Sequence, residues 1–311
     1  MSNQIIVMGS YVADLAFRTP KLPAWGETVM GASFRLGPGG KGSNQAVAAV
    51  RAGASVSFLS KLCRDPFGDL ARATWQAESI DTTFVFDTAT PTGAAAILLD
   101  QHTGENAIIV VPGACFELAP DEVQQAQDRI QQCAVFLTQL ELPLHTVEFG
   151  LQLAHSLCVP TILNPAPTCS LSVSIYPLCD YITPNESEAE QLTGVAVTSL
   201  ATAEQAADAL LVRGVGNAII TLGAQGAFVK NAITRQHIAA FDAGPIIETT
   251  GAGDAFNGAF AVALAEGQDL ATASRFACAA AGISVTRPGT APSMPHRHEI
   301  DALLNRSASA R

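Results

Sequence analysis

Two glycine-rich runs carry the residues best suited to chemistry. One reads Glu248-Thr249-Thr250-Gly251-Ala252-Gly253-Asp254-Ala255-Phe256-Asn257-Gly258, a glycine turn that feeds directly into an alanine-rich helix. The first turn of a helix leaves its N–H groups without intrahelical acceptors, and the aligned peptide dipoles add positive charge there. Free amides over residues 251–254 would form an anion hole for the charge on a phosphoryl group in transfer. A carboxylate in the same turn, Asp254, would stand beside that phosphate and could accept a hydroxyl proton. The plain alternative is an ordinary acidic residue in a helix's first turn.

The other run is Gly37-Pro38-Gly39-Gly40-Lys41-Gly42-Ser43-Asn44-Gln45-Ala46. It superficially suggests the G-x-x-x-x-G-K-[ST] phosphate loop. Arg35 occupies the first-glycine position, however, and Gly42 follows Lys41 where Ser or Thr is required. Glycines that open a helix let backbone approach a ligand closely and present N–H groups to it. A flexible turn capped by Ser43 or Asn44 is the other reading. A third pattern, Asn185-Glu186-Ser187-Glu188, has the spacing of a capping box.

The elements that must position these residues alternate along almost the whole chain. Ile5–Met8, Ser55–Ser60, Ala134–Thr138, Thr161–Leu163, Tyr181–Thr183 and Ala218–Thr221 read as buried strands. Helical stretches lie between them, including Asn44–Arg51, Pro66–Glu78, Pro120–Gln131, Leu144–Ser156, Ala203–Val212 and Ala252–Ala265. This alternation predicts an α/β fold, a doubly wound, mainly parallel sheet with helices on both faces. Ligands in such sheets bind beyond the carboxyl ends of the strands. Thr28–Leu36 and Ala94–Val111, the latter turned at His102–Glu105, read instead as β-hairpin material. They predict a small β-sheet lid built from about 12–40 and 92–111 within a single domain spanning 1–311. No linker or 20–50-residue repeat interrupts the chain.

Composition narrows the function classes. Of the 311 residues 48% are apolar and 14% charged, which predicts a folded chain with a large core. A formal net charge of −11 disfavours nucleic acid and anionic membrane as partners, so an anionic nucleotide needs a locally built site. Seven scattered cysteines with no C-x-x-C pair predict free thiols in a reducing cytoplasm. The opening MSNQIIVMGSYVADL carries no basic leader, and apolar runs such as Asn106–Val111 are too short to span a bilayer.

GGKGSNQA at 39–46 together with TTGAGDAFNG at 249–258 resembles the paired signatures of the ribokinase, or PfkB-type, family of sugar kinases. The likeness extends through NPAPT at 164–168, TPNESEAEQLTG at 183–194, TLGAQGA at 221–227 and VTRPGTAPSMP at 285–295, and so covers nearly the whole chain. The resemblance implies a ribokinase-like α/β/α fold and transfer of the γ-phosphoryl of ATP to the primary 5-hydroxyl of D-ribose. It makes Asp254 the base and Gly251, Ala252 and Gly253 the anion hole. Asp14, placed at the end of the first strand, would hold the sugar with Gly40, Lys41, Gly42, Ser43, Asn44 and Glu141. Asn185, Thr221, Leu222, Gly223, Ala224, Gln225 and Gly226 would line the ATP site with Gly253, and Cys278 would lie on its adenine side. Mg²⁺ would be handled through water by Glu188, in keeping with its hydration. A monovalent cation, K⁺, would take the side chains of Glu248 and Ser293 and the carbonyls of Thr250, Ser284, Arg287 and Gly289. A homodimer through the lid is implied as well.

Two positions depart from the family pattern. Glu248 stands where Asp is usual, one methylene longer. Val12 stands where an Asn usually reaches a ribose hydroxyl, and a Val side chain cannot make that hydrogen bond, so 2-deoxyribose is the alternative acceptor. Another kinase of this fold, acting on a nucleoside, fructose or a sugar phosphate, is a further reading; Arg35 and Lys41 are the basic residues available for a second phosphate, and the sequence does not place Arg35. A non-catalytic sugar sensor is the reading from another class. A dinucleotide oxidoreductase fails, because Gly9-Ser10-Tyr11 follows the first strand where G-x-G-x-x-G is required. His296 and His298 resemble a metal pair, but they read as surface histidines in a terminal helix.

Overall fold

The computed structural model describes residues 3–102 and 106–309. Its strands are β1 (Gln4–Met8), β2 (Val12–Thr19), β3 (Ser33–Gly39), β4 (Ser55–Cys63), β5 (Asp81–Thr88), β6 (Thr92–Asp100) and β7 (Asn106–Gly113), followed by β8 (Val135–Thr138), β9 (Thr161–Leu163), β10 (Tyr181–Ile182), β11 (Asn217–Thr221), β12 (Ala227–Lys230) and β13 (Arg235–Ile238). Nine of them form one sheet in the order β13-β12-β11-β10-β9-β8-β1-β4-β5. The pairs from β11 through β1 to β5 are parallel, and β11-β12-β13 closes one edge as an antiparallel meander.

Strands that are apolar at every position need cover on both faces. Ile5 and Val7 accordingly lie in one buried cluster and Ile6 and Met8 in the other. Val135 and Leu137 divide from Phe136 in the same way, so the sheet is the middle layer of three.

The lid is a separate four-stranded sheet in the order β3-β2-β6-β7. Its β2–β3 and β6–β7 pairs are antiparallel, while β2 and β6 run parallel. Two expectations change here. Thr28–Leu36 is not itself a hairpin: the strand begins at Ser33 and its partner is the upstream Val12–Thr19. Asp14 therefore belongs to the lid, since the chain leaves the main sheet at Met8 and starts a new strand at Val12. Of the turn expected at His102–Glu105, residues 103–105 lie outside the described residues.

Helix boundaries shift in two places. The helix expected over Pro120–Gln131 divides at Ala126 into Pro120–Gln125 and Gln127–Gln132. The one expected from Asn44 starts at Lys41, with Gly40 as its cap in place of Ser43 or Asn44. The capping box at Asn185 forms as expected, with Glu188 N–H donating to Asn185 Oδ1 and Asn185 N–H to Glu188 Oε2, each at 2.9 Å. All seven cysteines are free, and among the described residues no helix is long and apolar enough to cross a membrane.

Candidate active site

The two glycine-rich runs meet because the helices they open touch backbone to backbone. A Cβ built on Gly258 would fall 2.6 Å from both the Ala48 Cβ and the Gln45 carbonyl oxygen, so only glycine permits this approach. The contact carries the start of the Lys41–Arg51 helix onto the start of the Ala252–Ala265 helix. Asn44 Nδ2 then donates to Asp254 Oδ2 at 2.9 Å, and Gln45 Nε2 donates to Asp254 Oδ1 at 3.0 Å.

Asp254 is 6% exposed. Burial pushes its pKa up, the Lys41 ammonium and the Asn44 and Gln45 amides pull it down, and the net displacement is upward. Lys41 experiences the converse. Burial alone would lower it, but the carboxylates of Asp254, Glu141 and Glu188 outweigh that and hold the ammonium above its usual range. One further atom stands out: Asn44 Oδ1 is buried beside Asp254 and has no hydrogen-bond partner among the described residues. A buried acceptor left unpaired costs roughly 1–3 kcal/mol, which a ligand hydroxyl would recover.

The helix tip is built by Gly251, whose φ of 85° is the left-handed region that glycine enters without strain. Not all of the expected amides are available. Ala252 N–H donates to the Thr249 carbonyl at 3.2 Å and closes the turn, which corrects its place in the anion hole. The amides of Gly251, Gly253 and Asp254 have no acceptor among the described residues. Nothing lies within 4 Å of a Cβ built on Gly253, so open space adjoins this part of the tip.

That space belongs to two adjoining cavities. The larger, of about 700 Å³, has an apolar end formed by Phe241, Ala243, Cys278 and Val285. Burial pushes the Cys278 thiol up to about 12, so it is a neutral, apolar wall. The smaller, of about 160 Å³, is lined by Lys41, Glu188, Gly251 and Asp254 among others. Asn185, Thr221 and Gly253 line both, so the two join at these residues. Gly223, Ala224 and Gly226 line the larger cavity as expected, but Leu222 and Gln225 do not. Leu222 is buried in the core, and the Gln225 carbonyl faces His237 Nε2 at 2.7 Å.

The lid carries Val12 and Asp14, which line neither of these two cavities but sit two residues apart and so project from one face of β2. Val12 pairs with Gly39 and Gly93 on its two neighbours, which leaves its methyl groups unflanked by side chains. Asp14 has its pKa raised to about 6, chiefly by burial, with the Thr290 hydroxyl opposing the shift and Glu141 and Asp254 adding to it. Glu141 lies beyond β8, accepts the Lys41 N–H at 2.9 Å and also accepts the Ser10 hydroxyl. Gly42 and Ser43 are turned inward: a Cβ on Gly42 would strike the Gly9 backbone at 2.5 Å, and the Ser43 hydroxyl accepts Trp75 Nε1–H at 2.9 Å. Both therefore support the loop from behind.

Three participants went unassigned in the sequence. Gln45 is inside the first glycine run, and its amide links Asp254 to Asn164 Oδ1 at 3.1 Å. Asn164 belongs to the NPAPT segment quoted above. Thr290 holds its hydroxyl between Asp14 Oδ2 (3.2 Å) and the Pro38 carbonyl (3.0 Å), joining lid to core. All three lie within the segments quoted above, Thr290 in VTRPGTAPSMP, so each was signalled by its neighbours although its partner was not.

The two implied metals fare differently. Glu188 Oε2 is committed to its cap, while the residue as a whole lines the small cavity beside Asp254. No cluster of three or more His, Cys, Asp or Glu side chains forms a cage among the described residues. That donor set fits a hydrated dication held mainly by phosphates, with protein contact through water. The monovalent-cation residues fit less well, because the one carboxylate among them already has a cation. Glu248 Oε2 accepts the Gly289 N–H at 2.9 Å and lies 3.4 Å from Arg35 Nη2. The Ser293 hydroxyl donates to the Thr290 carbonyl at 2.7 Å, and the Ser284 carbonyl accepts the Arg287 N–H at 3.2 Å.

Comparison with known proteins bears on this geometry. The profile of the pfkB family carbohydrate kinases matches residues 2–297. A ribokinase of Haemophilus influenzae is 40% identical over 299 residues, covering 96% of this chain and 97% of its own. A deoxyribokinase of Salmonella typhi is 34% identical over 303 residues, covering 97% and 98%. The structure of Arabidopsis thaliana ribokinase complexed with ribose and ATP superposes with a TM-score of 0.91 at 29% identity, covering 98% of this chain and 99% of its own.

Proposed function

The chain belongs to the pfkB family of carbohydrate kinases, phosphotransferases with an alcohol acceptor, and from that premise we propose that it moves the γ-phosphoryl of ATP to the primary 5-hydroxyl of a pentose. One observation carries the reading: a nucleotide-sized cavity and a small polar one join at Gly253, beside a buried carboxylate and unpaired amides. The adenine end of ATP lies against Phe241 and Cys278, and its terminal phosphate reaches the helix tip. Asp254 takes the hydroxyl proton as the oxygen forms its bond to phosphorus and the bond from phosphorus to the β-phosphate oxygen breaks. Lys41 and the amides of Gly251, Gly253 and Asp254 stabilise the charge on the phosphoryl oxygens. Mg²⁺, when bound with the nucleotide, would screen the phosphates, with Glu188 and Asn185 holding its waters.

D-Ribose, giving ribose 5-phosphate, and 2-deoxyribose are the two acceptors in question. Val12 favours the second, because an apolar side chain leaves a ribose hydroxyl unpaired while costing a deoxy sugar nothing. Val12→Asn is expected to raise kcat/KM for ribose about two- to tenfold and to leave 2-deoxyribose unchanged, as one neutral hydrogen bond would allow. Measuring both sugars in both proteins decides it, and equal responses would remove Val12 from the specificity argument.

The lid face opposite Asp14 supports a homodimer. Phe17, Phe34, Leu36, Ile109 and Val111 share that face, are 37% to 67% exposed, and form one apolar surface of the kind that seeks a partner. Light scattering is expected to give twice the chain mass for the parent and the chain mass for Ile109→Glu. A parent that stays monomeric at every concentration overturns the dimer. Seven unpaired thiols fit a reducing compartment, and the cytoplasm is the location proposed.

A further inference from the structure

Arg35 leaves β3 on the lid face that also carries Val12 and Asp14, because it pairs with Ala16, two residues on from Asp14. Its guanidinium reaches out of the lid to Glu248 Oε2 at 3.4 Å. That same oxygen accepts the Gly289 N–H, and Gly289 adjoins Thr290, the residue shared by Asp14 and Pro38. Glu248 is anchored by its own backbone as well, since its N–H and that of Ile247 both donate to the Val285 carbonyl. Three residues later the chain reaches Gly251, which packs so closely on Thr290 that an added Cβ would lie 3.3 Å from the Thr290 Cα. One carboxylate thus links the lid, the 285–290 segment and the turn that presents the anion hole.

We infer that Arg35 is a built-in replacement for the monovalent cation at this position: its guanidinium occupies the Glu248 carboxylate and braces the helix tip, so that phosphoryl transfer proceeds without K⁺. The inference rests on the kinase reading above. The longer Glu side chain and the Arg on the lid account for each other, because the additional methylene extends the carboxylate toward the guanidinium. A second cation on the same carboxylate would meet the Arg35 charge at short range. Arg35 and Glu248 have side chains 48% and 25% exposed, so the pair adds little to global stability and its effect falls on positioning.

The test uses the full chain as parent, Arg35→Gln and Arg35→Lys, assayed in KCl, NaCl or tetramethylammonium chloride at one ionic strength, with melting curves in each salt. The parent's kcat is expected to vary less than about twofold between salts, while Arg35→Gln loses about tenfold in tetramethylammonium and regains most of it in K⁺, a typical size for coupling between sites. Arg35→Lys should fall between them. The parent's melting temperature should be the same in every salt, and that of Arg35→Gln should rise in K⁺. Strong stimulation of the parent by K⁺ overturns the inference. So does an Arg35→Gln protein that matches the parent in all salts, or one whose loss K⁺ does not restore. If the parent transfers no phosphoryl group to any sugar, the kinase reading fails, and the melting curves alone still decide whether K⁺ binds when the guanidinium is removed.

Discussion

Asp254→Asn is expected to lower kcat by about a thousandfold while both KM values stay within a few-fold of the parent, as befits loss of a general base that leaves binding intact. The amide fills the same space but cannot take the hydroxyl proton. Folding should survive, because the buried Asn44 Oδ1 is unpartnered and an amide flip at Asn44 turns it toward the new Nδ2 group. The raised pKa sets the direction of both pH effects. Only the ionised carboxylate accepts a proton, so kcat/KM of the parent should fall as pH drops through a value above the ordinary aspartate range. For stability, a carboxyl group whose folded pKa is raised contributes most below its unfolded pKa, and that contribution is lost as pH rises through the folded value. The variant should therefore melt no lower than the parent at pH 8, with any advantage shrinking as the solution is acidified. Activity within tenfold of the parent in a coupled ATP assay, from protein purified away from host kinases, would remove Asp254 as the base.

Gly253→Ala should lower kcat/KM by about a hundredfold, the scale of losing an oxyanion-type donor, and leave the melting temperature unchanged. Beyond its chain neighbours and the adjacent backbone of its own helix, the added methyl meets no atom of the described residues within 4 Å, so the fold has no reason to resist it. It enters the space where the two cavities join, and there it would push a phosphoryl group off the free amides. Gly251→Ala provides the contrast. With φ at 85° an alanine there is strained by roughly 1–2 kcal/mol, so that variant should lose stability and activity together. A Gly253→Ala enzyme with normal turnover would mean that the tip does not face the transferred phosphate.

Much of this was legible because it is written locally. Apolar runs fixed the strands β1, β8 and β9, and glycine, asparagine and glutamate at set spacings marked the two helix tips and the capping box. What local pattern could not reveal was pairing at a distance. Nothing local says that Asp81–Thr88 pairs with β4, or that Ser33–Gly39 pairs with the upstream β2. Asp14 looked like the end of β1 since three residues of coil are too few to announce a change of sheet. Thr290 is 276 residues from its carboxylate partner, and Arg35 is 213 from Glu248. The Ala252 amide escapes the sequence for the opposite reason: whether a turn closes on itself depends on a single carbonyl's direction, which residue types do not report.

The absence of a side chain on Gly258, which lets the Ala48 methyl and the Gln45 carbonyl come close, has a mechanical consequence. Asp254, Asn44 and Gln45 ride on two rods in hard contact, so the proton acceptor and the amides that aim it form one stiff block. Val12, Asp14 and Arg35 ride on a different sheet, joined to this block through Gly40, where β3 runs into the Lys41–Arg51 helix, and tied to the core again by Thr290 and the Arg35–Glu248 pair. The acceptor and the amides that aim it keep their mutual geometry by this helix-to-helix contact, and that rigidity follows from a single missing methyl group.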